Sequence, residues 1–290
     1  MKQTKIILIS ILAGIMLVLI AGMAWVIWDL KTNPTANMAR SWGRDYALSQ
    51  ELEYEPEDIE KIKVNFANSY DVLVYYGESD KIIVKEYKAE SQESAQISCD
   101  SRVLKIENKK GSGGIHLGFG ARTGGYVELY LPDTYRAVLD MELVSGDVNI
   151  EKGIGSCTVN TVSGDITIGE WNGFLSLETV SGDVDASGLV VSDQTVVNTT
   201  SGDVDLQFSS FAGKLEVDTV SGDVDIQLPE TAEFSFEIHT VSGDFHDNED
   251  EKLSYSYKKK NKQIDGTRGE NSENTIRVET VSGDIDLNIR

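Results

Sequence analysis

Seven aspartates stand at one phase of a repeated phrase, and they are the side chains best placed to do chemistry. Ser-Gly-Asp occurs at Ser145-Gly146-Asp147, Ser163-Gly164-Asp165, Ser181-Gly182-Asp183, Ser201-Gly202-Asp203, Ser221-Gly222-Asp223, Ser242-Gly243-Asp244 and Ser282-Gly283-Asp284. Carboxylates held in register would offer hard oxygen ligands to Ca²⁺, with Asp183, Asp203 and Asp223 as weak candidates. Asp185, Asp205, Asp225 and Asp286, two residues further on, would add a second outward row. Carboxylate pairs also do acid–base work on sugars, which would make Asp183, Asp203 and Asp223 the catalysts of a polysaccharide-acting enzyme. Both ideas meet one objection: catalysis needs a distinctive constellation, whereas a residue recurring in every repeat argues for construction. The calcium-binding nonapeptide of some solenoids is absent too. Ser and Asp bond nearby backbone N–H groups in turns, and Gly supplies φ > 0 at a tight corner. The expectation is a structural turn at each copy, with no catalytic residue and no cofactor.

The other reactive types are sparse. His116, His239 and His246 are the three histidines, and surface exposure is their default. Cys157 shares inward parity with Val159, as a small core residue would. Cys99 lies in a turn-like Ser98-Cys99-Asp100-Ser101, and sequence leaves a Cys99–Cys157 disulfide open.

Successive Ser positions of the phrase differ by 18, 18, 20, 20, 21 and 40 residues. A fixed period near 20 marks a stacked-repeat architecture. Before each Ser-Gly-Asp the apolar positions have one parity and after it the other: Leu175 and Leu177 give way to Val180 and Val184, Leu215 and Val217 to Val220, Val224 and Ile226. Side chains alternate faces along a strand, so a parity flip marks a corner. It falls at Thr161, Thr179, Thr199, Thr219, Thr240 and Thr280. Each repeat is then strand, corner, strand and return, one rung of a parallel β-solenoid. The usual chirality of parallel crossovers makes that solenoid right-handed. The 40-residue gap suggests an eroded rung with an extended loop, and the last repeat, ending at Arg290, would be an open edge.

Residues 61–135 lack the phrase but contain strand-like runs. Ile62, Ile82, Val103 and Val127 fall 20, 21 and 24 residues apart, which suggests degenerate rungs of the same stack. Residues 61–290 therefore form one all-β domain, with regular rungs over 136–290. Gly111 to Gly125 lacks the Gly-Lys-Ser/Thr of a phosphate cradle and reads as a flexible loop. These two interruptions, Gly111–Gly125 and His246–Asn274, are where specific function is expected.

The chain carries a formal net charge of −22, which disfavours nucleic acid as a partner. Ile6 to Trp28 is an uncharged, apolar stretch long enough to cross a bilayer. Lys2 and Lys5 put its start in the cytosol and the bulk of the chain outside. A cleaved signal peptide ending near Gly22-Met23-Ala24 is the alternative, but Trp25-Val26-Ile27-Trp28 continues the apolar run past that point. Residues 1–28 are thus expected as cytosolic tip and transmembrane anchor. Residues 29–60 are expected as a juxtamembrane linker, with a helical turn or two around Met38–Leu52.

A single N-terminal anchor followed by TVSGDI at Thr161, TVSGDV at Thr179 and Thr219, and TVSGDI at Thr280 resembles a bacterial adhesin-type family of β-strand repeats, the LiaG-like group. The resemblance spans Ile59 to Arg290. It implies a cell-surface β-solenoid of the bacterial envelope and brings no catalytic residues. The expected function is a non-catalytic binding or adhesion module contacting an envelope polymer or a membrane protein. The alternatives are a scaffold component of an envelope-stress regulatory system and, more remotely, the polysaccharide-acting enzyme.

Overall fold

The computed structural model describes residues 46–90, 92–108, 124–248, 253–258, 263–270 and 273–290. The expected anchor over Ile6–Trp28, His116 and most of Gly111–Gly125 lie outside the described residues. Among the described residues no helix is long and apolar enough to cross a membrane.

Alternating apolar and polar residues make strands throughout. The half without Ser-Gly-Asp forms β1 (Ala47–Tyr54), β2 (Lys61–Tyr76), β3 (Ile82–Lys88), β4 (Gln96–Asp100), β5 (Val103–Glu107) and β6 (Gly125–Leu131). The regular repeats form β7 (Ala137–Ser145), β8 (Val148–Ser163), β9 (Ile166–Ser181), β10 (Val184–Val191), β11 (Gln194–Ser201), β12 (Val204–Phe211), β13 (Lys214–Asp218) and β14 (Val224–Leu228). The chain finishes with β15 (Phe234–Ser242), β16 (Phe245–Asp247), β17 (Leu253–Lys258), β18 (Gln263–Arg268), β19 (Thr275–Ser282) and β20 (Ile285–Ile289).

The strands stack into two walls of an open, all-β rack. In the first wall β5, β2, β7, β8, β9, β11, β13, β19 and β15 follow one another in parallel, flanked antiparallel by β4 at one end and by β18 and β17 at the other. In the second wall β6, β2, β8, β9, β10, β12, β14, β20 and β16 run in parallel, with β3 and β1 added antiparallel beside β6. The register is strict: Met141, Val159, Leu177, Val197, Val217, Val278 and Ile238 lie on one inward row. Val148, Ile166, Val184, Val204, Val224 and Ile285 make another on the second wall. All of these are buried, and no single rung could shield them alone.

The corner sits later than parity suggests. Thr161, Thr179, Thr199, Thr219, Thr240 and Thr280 are the inward residues, 2–5% exposed, and the residue after each faces out. Val162, Val241 and Val281 are 38%, 60% and 38% exposed. Strand alternation simply carries on through Thr, and the chain bends at Ser-Gly-Asp. The glycine is needed there chiefly for a close approach. At Gly146, Gly164, Gly182 and Gly243 φ is not positive, yet a Cβ on any corner glycine would lie 1.9–2.1 Å from a carbonyl oxygen of the neighbouring rung.

Both ends depart from chain order. Among its described residues the 40-residue gap holds no eroded rung: β19 and β20 slot between the rung of β13–β14 and that of β15–β16. The β17–β18 hairpin then pairs antiparallel with β15. The last repeat is therefore interior, not an open edge. At the other end β2 contributes to both walls and sits between β5–β6 and β7–β8. Val103 and Val127 belong to one rung, because β5 and β6 pair with the two halves of β2, whereas Ile82 lies on the antiparallel β3. The fold also begins earlier than residue 61. Ala47–Tyr54 is a strand on β3 instead of linker or helical turn, since Leu52 and Tyr54 alternate with Glu51 and Glu53.

Candidate functional site

The corner carboxylates hold the stack together. The amide of Asp165 donates to Asp147 Oδ1 at 3.0 Å, that of Asp183 to Asp165 at 3.0 Å, Asp203 to Asp183 at 2.9 Å and Asp223 to Asp203 at 2.9 Å. The ladder continues from Asp223 to the Asp284 amide and from Asp284 to the Asp244 amide, both at 2.8 Å, following the stack and not the sequence. Like charges one rung apart repel by roughly 1 kcal/mol in water, and a charge-assisted hydrogen bond to each carboxylate offsets that. The ladder has an eighth member that sequence inspection missed. Asp71 Oδ1 accepts from the Asp147 amide at 3.0 Å, and Ser69 pairs with Ser145. Ser69-Tyr70-Asp71 is the phrase without its glycine. Tyr70 instead turns inward, 1% exposed, stacks on Phe66 and donates to Glu86 Oε1 at 2.8 Å.

The second acidic row is in register as well: Asp185, Asp205, Asp225 and Asp286 pair in sequence across β10, β12, β14 and β20. Burial and then the neighbouring Asp225 and Asp185 raise the Asp205 carboxyl above its ordinary range, with Arg290 opposing. His246, on β16, pairs with Asp286 at 3.6 Å and His239 is half-buried on β15. Among the described residues no group of three or more His, Cys, Asp or Glu is placed to hold a metal ion. Cys157 is buried and Cys99 exposed on β4, and neither is in a disulfide. On the first wall Arg277 bonds Glu216 at 2.9 Å, Asp218 at 3.4 Å and also Glu279. Burial, with Glu279 and Glu216 adding repulsion against the pull of Arg277, pushes the Asp218 carboxyl up to about 6.

Concavity appears where the rungs return from the second wall to the first. A cleft of 330 Å³ is lined by Tyr76, Asp133, Lys152, Glu170, Trp171 and Asn172, together with Gly153 and Gly188. Gly153 makes it possible, since a Cβ there would meet Trp171 Cζ3 at 2.3 Å. Lys152 and Asp133 form an ion pair of 3.0 Å on its wall. The Trp171 indole N–H is buried without a hydrogen-bond partner. The Tyr76 hydroxyl, equally buried, lies near the Ile154 amide without completing a hydrogen bond. Buried polar groups nearly always find partners, but the inward Thr161, Thr199, Thr219, Thr240 and Thr280 of the regular ladder carry unpartnered hydroxyls as well, so what sets the cleft apart is its concavity and the ion pair on its wall. None of its residues stood out from the repeat pattern. The available signal was Trp171, the one tryptophan beyond residue 42, amid the glycines Gly153, Gly155 and Gly173.

A stacked, two-walled rack of parallel rungs with a carboxylate–amide ladder at its corner defines the class. The family model described as Toastrack DUF4097 matches residues 59–174 and again 154–288, and the chain belongs to that family. The two matches overlap where β8 and β9 join the halves of the stack. Among solved structures it is similar to a candidate cell adhesion protein from Clostridium sporogenes, with 14% identity over 84% of this chain and 100% of that one and a TM-score of 0.35. It is also similar to a candidate lipid binding protein from Parabacteroides distasonis, at 13% identity over 82% and 96% with a TM-score of 0.39. A candidate adhesin from Bacteroides fragilis matches at 10% identity over 83% and 97%, with a TM-score of 0.40. No curated protein matches the chain.

Proposed function

We propose that the chain is a non-catalytic binding module of the bacterial envelope, anchored by Ile6–Trp28 with a right-handed rack outside the cell, and that its ligand seats in the cleft between Tyr76 and Trp171. The observation that carries this is the concave wall that gathers Asn172, Glu170 and the Lys152–Asp133 ion pair beside Tyr76 and Trp171. Small-molecule sites combine a largely apolar concavity with a few convergent polar groups. The non-catalytic part rests on the repeated carboxylates, six of which, from Asp147 to Asp284 in stack order, hold a neighbouring amide. A ligand suited to the cleft is small and polar, such as one unit of an envelope polymer, with hydrogen-bonding groups for Asn172 and for the Lys152–Asp133 pair.

Retention of the full-length chain on purified cell wall tests the idea, comparing the parent with Asn172→Arg. Asn172 is exposed at the cleft, so the arginine fills the site without disturbing the core. The expected result is retention by the parent and its loss in the variant at unchanged melting temperature. No retention by the parent, or equal retention by both, refutes the assignment.

A further inference from the structure

The outside of the corner carries a second regular feature that the core does not need. With Leu143 on the first of them and threonine on the other six turned inward, the following residue is left outward on seven successive rungs: in stack order Val144, Val162, Val180, Thr200, Val220, Val281 and Val241. Val162, Val281 and Val241 are 38%, 38% and 60% exposed and the others half-buried. Three residues on, across the bend, the exposed aspartates Asp147, Asp165, Asp183, Asp203, Asp223, Asp284 and Asp244 run alongside. An apolar ladder and a carboxylate ladder thus share one edge, both repeating at the rung spacing.

We propose that this edge is a docking surface for a basic amphipathic helix of a partner protein. The apolar ladder would receive one apolar side chain per helical turn, since a turn rises about 5.4 Å and a rung about 4.8 Å. Seven rungs span about 29 Å, the length of a helix of about 19 residues. Lysines or arginines on the flank of that helix face the aspartates. Charge selects this occupant over the others. A second copy would set its own carboxylate ladder against this one, and anionic lipid or polyanions are repelled by a chain of net charge −22. The aspartates keep their structural hydrogen bonds on docking, because the neighbouring amide uses Oδ1.

The experiment measures binding of two fluorescent 19-residue helical peptides, one of Leu and Lys and one of Leu and Glu in the same pattern, to the bead-captured full-length chain in non-ionic detergent. Two variants accompany the parent. Val162→Thr/Val281→Thr/Val241→Thr places at each position the residue that Thr200 already provides. Asp165→Asn/Asp183→Asn/Asp203→Asn/Asp223→Asn keeps the Oδ1 acceptor and removes four charges. The Leu/Lys peptide should bind and the Leu/Glu peptide should not. Each variant should weaken binding by about tenfold, the scale of several exposed charge pairs or a few apolar contacts. Raising salt from 50 to 500 mM should weaken it further. Binding of both peptides alike, no binding of either, or Leu/Lys binding unchanged in the two variants overturns the proposal. So does self-association of the parent that the valine variant abolishes, which would make the occupant a second copy.

Discussion

Replacing Gly182 by alanine should damage the stack more than any exposed substitution nearby. The new Cβ would lie 2.1 Å from Gly164 O and 2.7 Å from its carbonyl carbon, where real Cβ contacts are not found below 3.0 Å. Relief requires the two corners to part by about 1 Å. That motion stretches the bonds from Gly164 N to Ser181 O at 3.3 Å, from Ile166 N to Asp183 O at 2.9 Å and from Asp183 N to Asp165 Oδ1 at 3.0 Å. All three would pass out of range, and at about 1 kcal/mol net each the loss is roughly 3 kcal/mol. For a domain of this size the melting temperature falls by roughly 6–12 °C. Urea unfolding measures the loss, and amide exchange locates it, with faster exchange at Gly164, Ile166 and Asp183 and little change on distant rungs. Ser181→Ala, at an exposed neighbour, is the control and should cost little. A loss below about 1 kcal/mol for Gly182→Ala, well under the three bonds counted, would show that the rungs yield at the corner and that the glycine is not there for the close approach.

Two further outcomes follow from buried groups. The Thr199 hydroxyl is buried without a partner, so Thr199→Val, which keeps the shape, should leave stability unchanged or raise it by up to about 1 kcal/mol in urea unfolding; a clear loss means the hydroxyl is bonded. Asp218 has a folded pKa of about 6 against an ordinary 3.8, so the native state holds more protons between those values and stability rises as pH falls through 6 toward 4. Its side chain is 44% exposed, which limits the gain to about 1 kcal/mol after screening. Asp218→Asn should raise the melting temperature at pH 7 and reduce the gain on acidification, and an unchanged pH profile refutes it.

The repeat made the rungs legible because the core positions have a strict period and the corner a fixed phrase. Parity located the corner two residues early, since Val180 and Val220 are as apolar as the core yet face out, while the buried Thr179 and Thr219 look polar in sequence. Asp71 escaped notice because Tyr70 stands where the other corners carry glycine, so Ser69-Tyr70-Asp71 does not match the phrase. The order of rungs at the two ends was not legible at all. Periodicity reports that a strand has the rung pattern, and β19–β20 fits the slot below β15–β16 as well as the one above it. The cleft was hidden for a related reason: Tyr76, Asp133, Lys152 and Trp171 come from separate strands and turns, and only the stacking brings them together.

The insertion of β19 and β20 between two earlier rungs has a consequence for how the molecule is made. Asp284 bonds Asp223 across 61 residues and Asp244 across 40, so the stack cannot be completed in the order in which the chain emerges. Either the strands of Phe234–Asp247 wait undocked, or they dock early and must make room. Thr275–Arg290 then acts as a keystone: a segment later in the chain locks a rung already present. Loss of Thr275–Arg290 would not shorten the rack by one neat rung. It would detach the rung beyond it as well, uncovering the Val224–Ile226 row in the interior of the stack.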